Sequence, residues 1–388
     1  MNARARRVLE RLYFEALAGV DPAAMVRDAL REPAVDRALS SARRVGAFAV
    51  GKAAAGMIRG VRGRFDVGLA VLPRGFPAPR LARVEWRFAS HPEPDSSSVA
   101  AARRALAFFR EFGPDDLILC LVSGGTSSLL CLPRDGVTLA EKKRRIARLA
   151  RSGASIVALN RLRTSLSEVK GGRLGRATAA PLATLVISDV PGDSPRLVGS
   201  GPTIRGRPAD LVRVVATNRT GLDAAAAAAR RLGLRPRVSR KRLSGEACRA
   251  GTVFGLAASK LAPGQVLLAG GETTVRLGRR FGLGGRNIEL ALCAGRALAE
   301  IPDVAVLAAG SDGRDGSSHG AGAFADGATS SEAGAAGLDE TAALRRHDTD
   351  PLCRRLGILF EPGPTGTNVA DWAFAIRLRE STRLPGPL

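Results

Sequence analysis

The sequence predicts an α/β protein with two α/β domains and mostly parallel sheets. Short apolar runs, such as 45–50 and 117–122, are each followed by a glycine-containing turn and then by a helical pattern. Strands that alternate with helices in this way are typical of parallel α/β domains. The chain has 388 residues, which is enough for two domains that each bury a core.

The composition is that of a globular protein with an unusual charge. Hydrophobic residues make up 45% and charged residues 24% of the chain, but the formal net charge is +23. A chain this basic can bind nucleic acid. However, the arginines are scattered without interleaved aromatic residues, and the densest basic cluster, 141–145, has the pattern of a solvated helix face. We therefore expect no nucleic-acid partner.

The five cysteines lie far apart and form no Cys-x-x-Cys pair, so neither a zinc site nor a disulfide framework is indicated. Cys120 and Cys293 lie in apolar runs and are expected to be small core residues. The N-terminal stretch lacks the apolar segment of a signal peptide, and no apolar run is long enough to span a membrane. These features predict a cytoplasmic protein without a membrane partner.

The predicted elements fall into two segments. The first segment contains N-terminal helices, a basic helix over 139–151, and strands at 45–50, 67–72, 117–122 and 185–187. The second contains strands at 266–269 and 304–308, a helix that follows the glycines at 282–285, and a final helix after Asn368. The regular alternation of strand and helix patterns is interrupted around 236–245. This interruption predicts an N-terminal domain over 1–244 and a C-terminal domain over 245–388.

Five predicted strands end on small or charged residues. These are Gly51-Lys52, Ser123-Gly124-Gly125, Ser188-Asp189, Gly271-Glu272 and Ser311-Asp312. The carboxyl ends of parallel strands lie at one edge of a sheet, where open α/β sheets bind ligands. Glycines let backbone N–H groups approach an anion closely, so the loop 123–128 fits a phosphate cradle, although such turns are also purely structural. The sequence has no Walker A motif and no G-x-G-x-x-G in the first strand–helix turn.

Two cations are predicted at helix starts, where the helix dipole disfavours positive charge. Lys52 follows the first strand of a chain that nearly always uses arginine, and Arg286 follows three glycines. A compact ammonium group suits phosphate or carboxylate. These positions indicate an anion nearby, with a solvated lysine at a helix start as the alternative interpretation for Lys52.

Carboxylates occupy the same strand ends. Asp189 and Asp193 lie in the long loop 188–203, and Glu272, Asp312 and Asp315 follow the later strands. Carboxylate oxygens are the hard ligands that Mg²⁺ binds together with substrate phosphate. Spacing alone does not separate metal ligands from helix caps. His91, in a loop restricted by proline, is either a base or a residue with a structural hydrogen bond.

Together these motifs resemble the glycerate 2-kinases of the MOFRL-containing type, which also carry the older label hydroxypyruvate reductase. The matching segments are GKAAAGM (51–57), HPEPD (91–95), SGGTSSLL (123–130), LRTSLSEVKGGRL (162–174), SDVPGDSPRLVGSGPT (188–203), GGETTV (270–275), GLGGRN (282–287), AAGSDGRDG (308–316) and GPTGTNVADW (363–372). The resemblance implies two α/β domains with the active site in the interdomain cleft. It also implies ATP- and Mg²⁺-dependent phosphorylation of glycerate at its 2-hydroxyl, with Lys52 and Arg286 as catalytic residues.

The sequence therefore predicts a kinase that converts D-glycerate to 2-phosphoglycerate with ATP. The expected catalytic residues are Lys52, Arg286 and Asp189, and the expected Mg²⁺ ligands are Asp189 and Asp193. The residues expected to bind the nucleotide are Ser123, Gly124, Gly125, Ser127, Lys170, Gly271, Glu272, Asn287 and Asp312. The alternative enzyme is an NAD(P)H-dependent hydroxypyruvate reductase, which needs a dinucleotide fingerprint that the sequence lacks. A homodimer is one expected assembly.

Overall fold

The computed structural model describes residues 1–153, 156–278, 280–299, 301 and 303–379. The helices are α1 (Ala3–Ala18), α2 (Pro22–Leu30), α3 (Pro33–Ser41), α4 (Ala54–Gly60), α5 (Ser96–Arg110), α6 (Thr126–Leu129), α7 (Leu139–Arg151), α8 (Ile156–Ser165), α9 (Asn218–Arg231), α10 (Ala247–Ala258), α11 (Arg286–Ala297), α12 (Thr329–Ala335), α13 (Glu340–Arg346) and α14 (Asp350–Arg355). The strands are β1 (Val45–Val50), β2 (Val67–Pro73), β3 (Val84–Ala89), β4 (Leu117–Val122), β5 (Leu182–Ile187), β6 (Leu211–Ala216), β7 (Arg235–Val238), β8 (Gln265–Gly271), β9 (Val304–Gly310), β10 (Gly322–Asp326), β11 (Leu359–Phe360) and β12 (Asp371–Arg377).

The chain divides into two compact units, each with its own sheet. The parallel-sheet unit consists of Asp21–Thr217 and Gly366–Asn368. The mixed-sheet unit consists of the described residues of Met1–Val20, Asn218–Thr365 and Val369–Arg379. The α/β class predicted from the sequence is confirmed.

The parallel-sheet unit contains β1–β6 in the order β3-β2-β1-β4-β5-β6, and each neighbouring pair is parallel. All residues of β1, β4 and β5 are buried, which explains why these strands are continuous apolar runs in the sequence. The strand order reverses between β1 and β4, whose last residues Val50 and Val122 are paired. Open sheets bind ligands in the crevice beyond the strand ends at such a switch point.

The core of this unit lies between the sheet and its covering helices. Phe48 on β1 meets Phe109 on α5 edge to face, with ring centroids 5.2 Å apart. Ile118 and Cys120 on β4 are fully buried in the same cluster. Because aromatic residues are scarce, leucine, valine and alanine fill most of the remaining core. This packing fixes the strand ends that carry the polar loops.

The mixed-sheet unit has the strand order β11-β10-β9-β12-β8-β7. Only β7 and β8 are parallel among the described neighbouring pairs, so the prediction of a mostly parallel sheet is wrong for this unit. The segment 311–321 joins β9 to β10 without a helix, and so short a connection favours an antiparallel return.

The predicted final helix is also wrong, because the segment after Asn368 forms β12. This strand lies between β8 and β9 and is antiparallel to both. Trp372, Phe374 and Ile376 are buried in it, and aromatic and β-branched residues favour strands. Five apolar residues in a row, 372–376, do not distinguish a buried strand from a helix by periodicity.

The boundary between the units differs from the prediction of 244/245. Helix α1 packs on α9 and on β9 and β12, so the N-terminus belongs with the C-terminal segment. The Tyr13 hydroxyl on α1 donates to the Gly310 carbonyl oxygen at 2.8 Å, and its ring lies 5.8 Å from that of Trp372. A contact between residues this distant in sequence leaves no signal in local composition.

Cys248 and Cys293 form a disulfide between α10 and α11, with Cα atoms 5.2 Å apart. The expectation of no disulfide is therefore wrong, and Cys293 is buried but not free. The two helices can approach closely because Gly255 has no side chain. A Cβ there would lie only 2.5 Å from the Ala294 carbonyl oxygen. No helix in the described ranges is both long and apolar enough to cross a bilayer.

Candidate active site

Two glycine-rich loops interlock at the switch point of the parallel sheet. The backbone N–H of Lys52 donates to the Gly124 carbonyl oxygen at 2.9 Å, and that of Ala53 donates to Ser123 Oγ at 3.1 Å. Gly51 has φ of +120°, and a Cβ there would lie 2.7 Å from the Ser123 carbonyl oxygen. Glycine is therefore required at residue 51, because both its backbone conformation and the close approach of the second loop exclude a side chain.

The side chains of Lys52 and His91 both flank Gly125. A Cβ added to Gly125 would lie 3.4 Å from Lys52 Cγ and 3.2 Å from His91 Cδ2. Lys52 and His91 are half-buried. The structure thus brings the predicted catalytic lysine next to the predicted phosphate cradle, with His91 on the same glycine.

Asp189 lies against the other glycine of this loop. A Cβ on Gly124 would collide with Asp189 Oδ2 and would lie 2.6 Å from Asn368 Nδ2. Asn368 Nδ2 donates to Asp189 Oδ2 at 2.9 Å. The sequence prediction did not include Asn368, although the motif GPTGTN contains it. Its hydrogen bond orients the Asp189 carboxylate beside the loop.

The two predicted Mg²⁺ ligands each have a polar partner that orients them. Asp193 accepts a hydrogen bond from Ser188 Oγ at 2.7 Å, and Asp189 accepts the one from Asn368. Within the described ranges, no three or more His, Cys, Asp or Glu side chains are grouped to hold a metal ion. Mg²⁺ is commonly held by one or two carboxylates plus substrate phosphates, so half-buried Asp189 and Asp193 fit that chemistry.

Ser127 and Lys170 meet as the sequence predicted. Lys170 Nζ donates to the Ser127 carbonyl oxygen at 2.6 Å. The Ser127 and Ser200 hydroxyls share a hydrogen bond of 3.1 Å, and Ser200 donates to Asn160 Oδ1 at 3.2 Å. Burial lowers the pKa of Lys170 to about 7. The loop 123–128 is therefore tied to the segments that carry Asn160, Lys170 and Ser200.

Lys142 corrects one sequence interpretation. The cluster 141–145 was assigned to a solvated helix face, but Lys142 is only 1% exposed. Leu139, Lys142 and Ile146 have the i, i+3, i+7 spacing of the apolar face of a helix, and this spacing is the signal that sequence reasoning missed.

Arg286 is held by two carboxylates of the mixed-sheet unit. Its Nε and Nη2 donate to Asp371 Oδ2 and Oδ1 at 2.6 and 3.0 Å, and Nη1 lies 2.9 Å from Glu272 Oε1. Burial alone would lower the pKa of Arg286, but Asp371 more than offsets this effect and raises it. The anion indicated by the position of Arg286 is therefore supplied, in the described structure, by the protein itself.

Asp315 caps helix α11. Its Oδ2 accepts hydrogen bonds from the backbone N–H groups of Asn287 at 3.0 Å and Ile288 at 2.9 Å. Burial raises the pKa of Asp315 to about 7, although these two N–H groups oppose the shift. Asp312 instead accepts from the backbone N–H of Arg314 at 3.1 Å in the turn after β9. Asp315 is thus a structural cap, a distinction that spacing did not make.

The predicted site residues fall into both units. Those in the parallel-sheet unit are Lys52, Ser123, Gly124, Gly125, Ser127, Lys170, Asp189 and Asp193. Those in the mixed-sheet unit are Gly271, Glu272, Arg286, Asn287 and Asp312. A cavity of about 440 Å³ opens beside Glu272 and Arg286, and the pair formed by Glu289 and His347, 2.9 Å apart, lines it.

Comparison with known families identifies the class of protein. Residues 8–232 match the family described as "Domain of unknown function (DUF4147)", and residues 265–371 match the MOFRL family. The predicted boundary at 244/245 lies between the two matches, whereas the compact units divide at Thr217/Asn218.

Several relatives match over nearly their whole length. The "Glycerate 2-kinase" of Pyrococcus horikoshii is 31% identical, and the match covers 94% of this chain and 96% of that protein. The "D-glycerate 2-kinase" of Thermotoga maritima is 32% identical over 92% of this chain and 94% of its own. A protein of Agrobacterium vitis named "Putative hydroxypyruvate reductase" is 37% identical over 95% and 94%, respectively.

A crystal structure of a glycerate kinase from Thermotoga maritima superposes with a TM-score of 0.83 at 30% identity. The superposition covers 96% of this chain and 99% of that one. Two α/β units with these loops define the structural class. The chain belongs to the MOFRL-containing family that includes these glycerate 2-kinases, which confirms the resemblance carried by its motifs.

Proposed function

We propose that this protein transfers a phosphoryl group from ATP to the 2-hydroxyl of D-glycerate and releases 2-phosphoglycerate and ADP. One observation carries the proposal. Lys52 and the loop 123–125 meet at the switch point of the parallel sheet, in a chain that aligns over 92% or more of its length with proteins named glycerate 2-kinase.

Phosphoryl transfer is catalysed mostly by positioning and by neutralising charge. We assign Lys52 to charge neutralisation on the transferred phosphoryl group, because its side chain flanks the predicted phosphate cradle at Gly125. Asp189 orients the attacking hydroxyl or holds Mg²⁺, and Asn368 fixes its carboxylate for either task. Mg²⁺, when bound by Asp189 or Asp193, supplies charge neutralisation on the phosphate oxygens.

Arg286 is assigned to binding an anionic group of a substrate. Glu272 is 44% exposed, so its ion pair with Arg286 is weak and an incoming anion can displace it. The buried pair with Asp371 stays and keeps the guanidinium plane in place. We also propose that Gly271, Asn287 and Asp312 contact the nucleotide, that the protein is cytoplasmic, and that a homodimer is one assembly state.

The test is release of ADP by the purified protein, measured with D-glycerate and with related hydroxy acids. We expect ADP release that depends on D-glycerate, disappears with EDTA and returns with Mg²⁺. Full activity in metal-free buffer would contradict the metal role of Asp189 and Asp193.

The alternative activity is tested in a separate assay. Hydroxypyruvate with NADH, in the absence of coupling enzymes, is expected to give no NADH oxidation. Robust NADH oxidation together with no ADP release would replace the kinase by a hydroxypyruvate reductase.

A further inference from the structure

A second cavity, of about 420 Å³, lies in the parallel-sheet unit. Five cations line it, among them Lys142, Arg163 and Lys170, together with the hydroxyl groups of Ser127 and Ser128 and the Cys131 thiol. Ser127 and Ser128 also belong to the loop 123–128, so the cavity adjoins the predicted phosphate cradle. Lys142 and Arg163 have no role in the reaction described above.

Two of these cations are almost completely buried. Lys142 is 1% exposed and Lys170 is 2% exposed. Among the described residues, no oxygen or nitrogen atom accepts a hydrogen bond from Lys142 Nζ. The Cys131 thiol interacts with it, but a thiol is a weak acceptor. Burying an ammonium group without a partner is costly, so its retention on the apolar face of α7 indicates a missing partner.

The nearby carboxylates do not supply that partner. Within the described ranges, Lys142, Arg163 and Lys170 form no ion pair with a carboxylate. Glu93 lines the same cavity, but its side chain is 79% exposed and pairs with Lys143 at 2.9 Å. Glu168 attracts Lys142 but pairs with Arg134 at 3.4 Å. The positive charge of Lys142, Arg163 and Lys170 is therefore not balanced by any carboxylate in the described part of the chain.

Lys142 and Arg163 also destabilise the charged form of Lys170. Burial lowers the pKa of Lys142, of Arg163 and of Lys170, and the charges of Lys142 and Arg163 lower that of Lys170 further. An anion bound between Lys142, Arg163 and Lys170 would raise the lowered pKa of each group and would offset the repulsion that acts on Lys170. Several negative charges on one ligand would match the three cations.

We propose that this cavity binds a chain of phosphate groups, that is, the polyphosphate of the nucleoside triphosphate. The proposal rests on the proposed kinase function for the identity of the nucleotide. Lysine ammonium groups bind phosphate oxygens as point charges. Lys170 Nζ uses one of its three N–H groups on Ser127, which leaves donors for a ligand. The adjoining loop 123–128 extends the phosphate-binding surface beyond the cavity.

The experiment measures binding without turnover by isothermal titration calorimetry, with inorganic tripolyphosphate as the probe. Lys142→Met removes the charge and keeps an unbranched side chain. We expect at least a tenfold higher Kd together with an unchanged or raised Tm, because an unpaired buried charge is removed. Arg148→Met on the exposed face of the same helix is the matched control, with an unchanged Kd.

Two competition experiments distinguish a nucleotide from the phosphorylated product as the ligand of the cavity. ADP should compete with tripolyphosphate, and 2-phosphoglycerate should not. Equal tripolyphosphate affinity in the wild type and in Lys142→Met, or displacement by 2-phosphoglycerate but not by ADP, would overturn the proposal. If tripolyphosphate binding requires Lys142 but ADP release with D-glycerate is absent, the cavity assignment stands and the proposed reaction fails.

Discussion

Arg286 and Asp371 are joined by two parallel hydrogen bonds of 2.6 and 3.0 Å. Asp371 is the first residue of β12, and its register places it opposite Gly271 at the end of β8 and Gly310 at the end of β9. The insertion of β12 between these two strands therefore positions the carboxylate that orients Arg286.

Breaking this pair should cost stability. Because Asp371 is only 3% exposed, Arg286→Met leaves a buried carboxylate unpaired, and we expect the free energy of unfolding to fall by about 3 kcal/mol. The double variant R286M/D371N should recover part of this loss. Glu272→Gln is the control, because its partly exposed pair should contribute at most about 1 kcal/mol. Urea unfolding of the wild type and of each variant gives these values, and a double variant no more stable than Arg286→Met would contradict a specific coupling.

Lys52→Ala should lower kcat by roughly 10²–10³-fold, the scale for loss of one preorganised electrostatic donor. Its half-buried side chain contributes little to the core, so the thermal melt should hardly change. Lys52→Arg should rescue poorly, because a guanidinium is wider than the ammonium beside Gly125. Steady-state kinetics and a melt of each variant provide the measurement. Near-normal kcat in Lys52→Ala would show that the lysine is structural.

Gly124→Ala should reduce activity by displacing Asp189. The added methyl group would lie 2.6 Å from Asn368 Nδ2 and would collide with Asp189 Oδ2, so the hydrogen bond between these side chains must break. Gly113→Ala is the matched control, since its Cβ would meet only Asp116 Oδ2, at 3.9 Å. We expect kcat/KM to fall at least tenfold in the first variant alone. Equal kcat/KM in the two variants would mean that the Asp189 position is unimportant.

Lys170 should make stability depend on pH in the alkaline range. Burial lowers its pKa from 10.5 to about 7 in the folded protein; the Cys131 thiol opposes this shift, and the cations Lys142 and Arg163 add to it. Between these pH values the unfolded chain binds the extra proton, so the free energy of unfolding should rise with pH from about 7 to about 10.5. Lys170→Met should flatten that rise. Parallel curves for the two proteins would refute the shift.

Reduction of the Cys248–Cys293 disulfide should destabilise the mixed-sheet unit. The cysteines are 45 residues apart, and closing a loop of that length stabilises by about 4 kcal/mol in the chain-entropy model. Dithiothreitol should therefore lower the Tm of the wild type. The variant C248S/C293S should have the lower Tm from the start and should not respond to the reductant. An identical response of both proteins would assign the effect to other thiols.

The sequence was most informative where burial is complete on both faces of a sheet. Strands β1 and β4 were predicted with their observed bounds, because parallel strands covered by helices are continuous apolar runs. The same kind of apolar run led to a wrong helix prediction for β12. The neighbouring strands β8 and β9 precede it by many residues in the sequence. Lys142 was wrongly predicted to be exposed, because a charged side chain was assumed to face solvent.

The candidate site shows the same limits. Lys52 and Ser123–Gly125 were predicted to share a sheet edge, and strand ends suffice for that inference. The partners of Arg286 were not predicted, because Asp371 reaches it only through the insertion of a strand from a distant part of the chain. Asp315 could be separated from metal ligands only by its hydrogen bonds to the start of α11.

The position of β12 also affects the order in which the protein can be assembled during synthesis. Helix α1 is made long before β12, yet Tyr13 on α1 contacts Trp372 on β12. Until β12 leaves the ribosome, β8 and β9 have no central partner and α1 has an incomplete surface to cover. Contacts of such high sequence separation slow folding and expose strand edges to aggregation. We therefore expect the mixed-sheet unit to close only after β12 has been made, and to depend on chaperones until then.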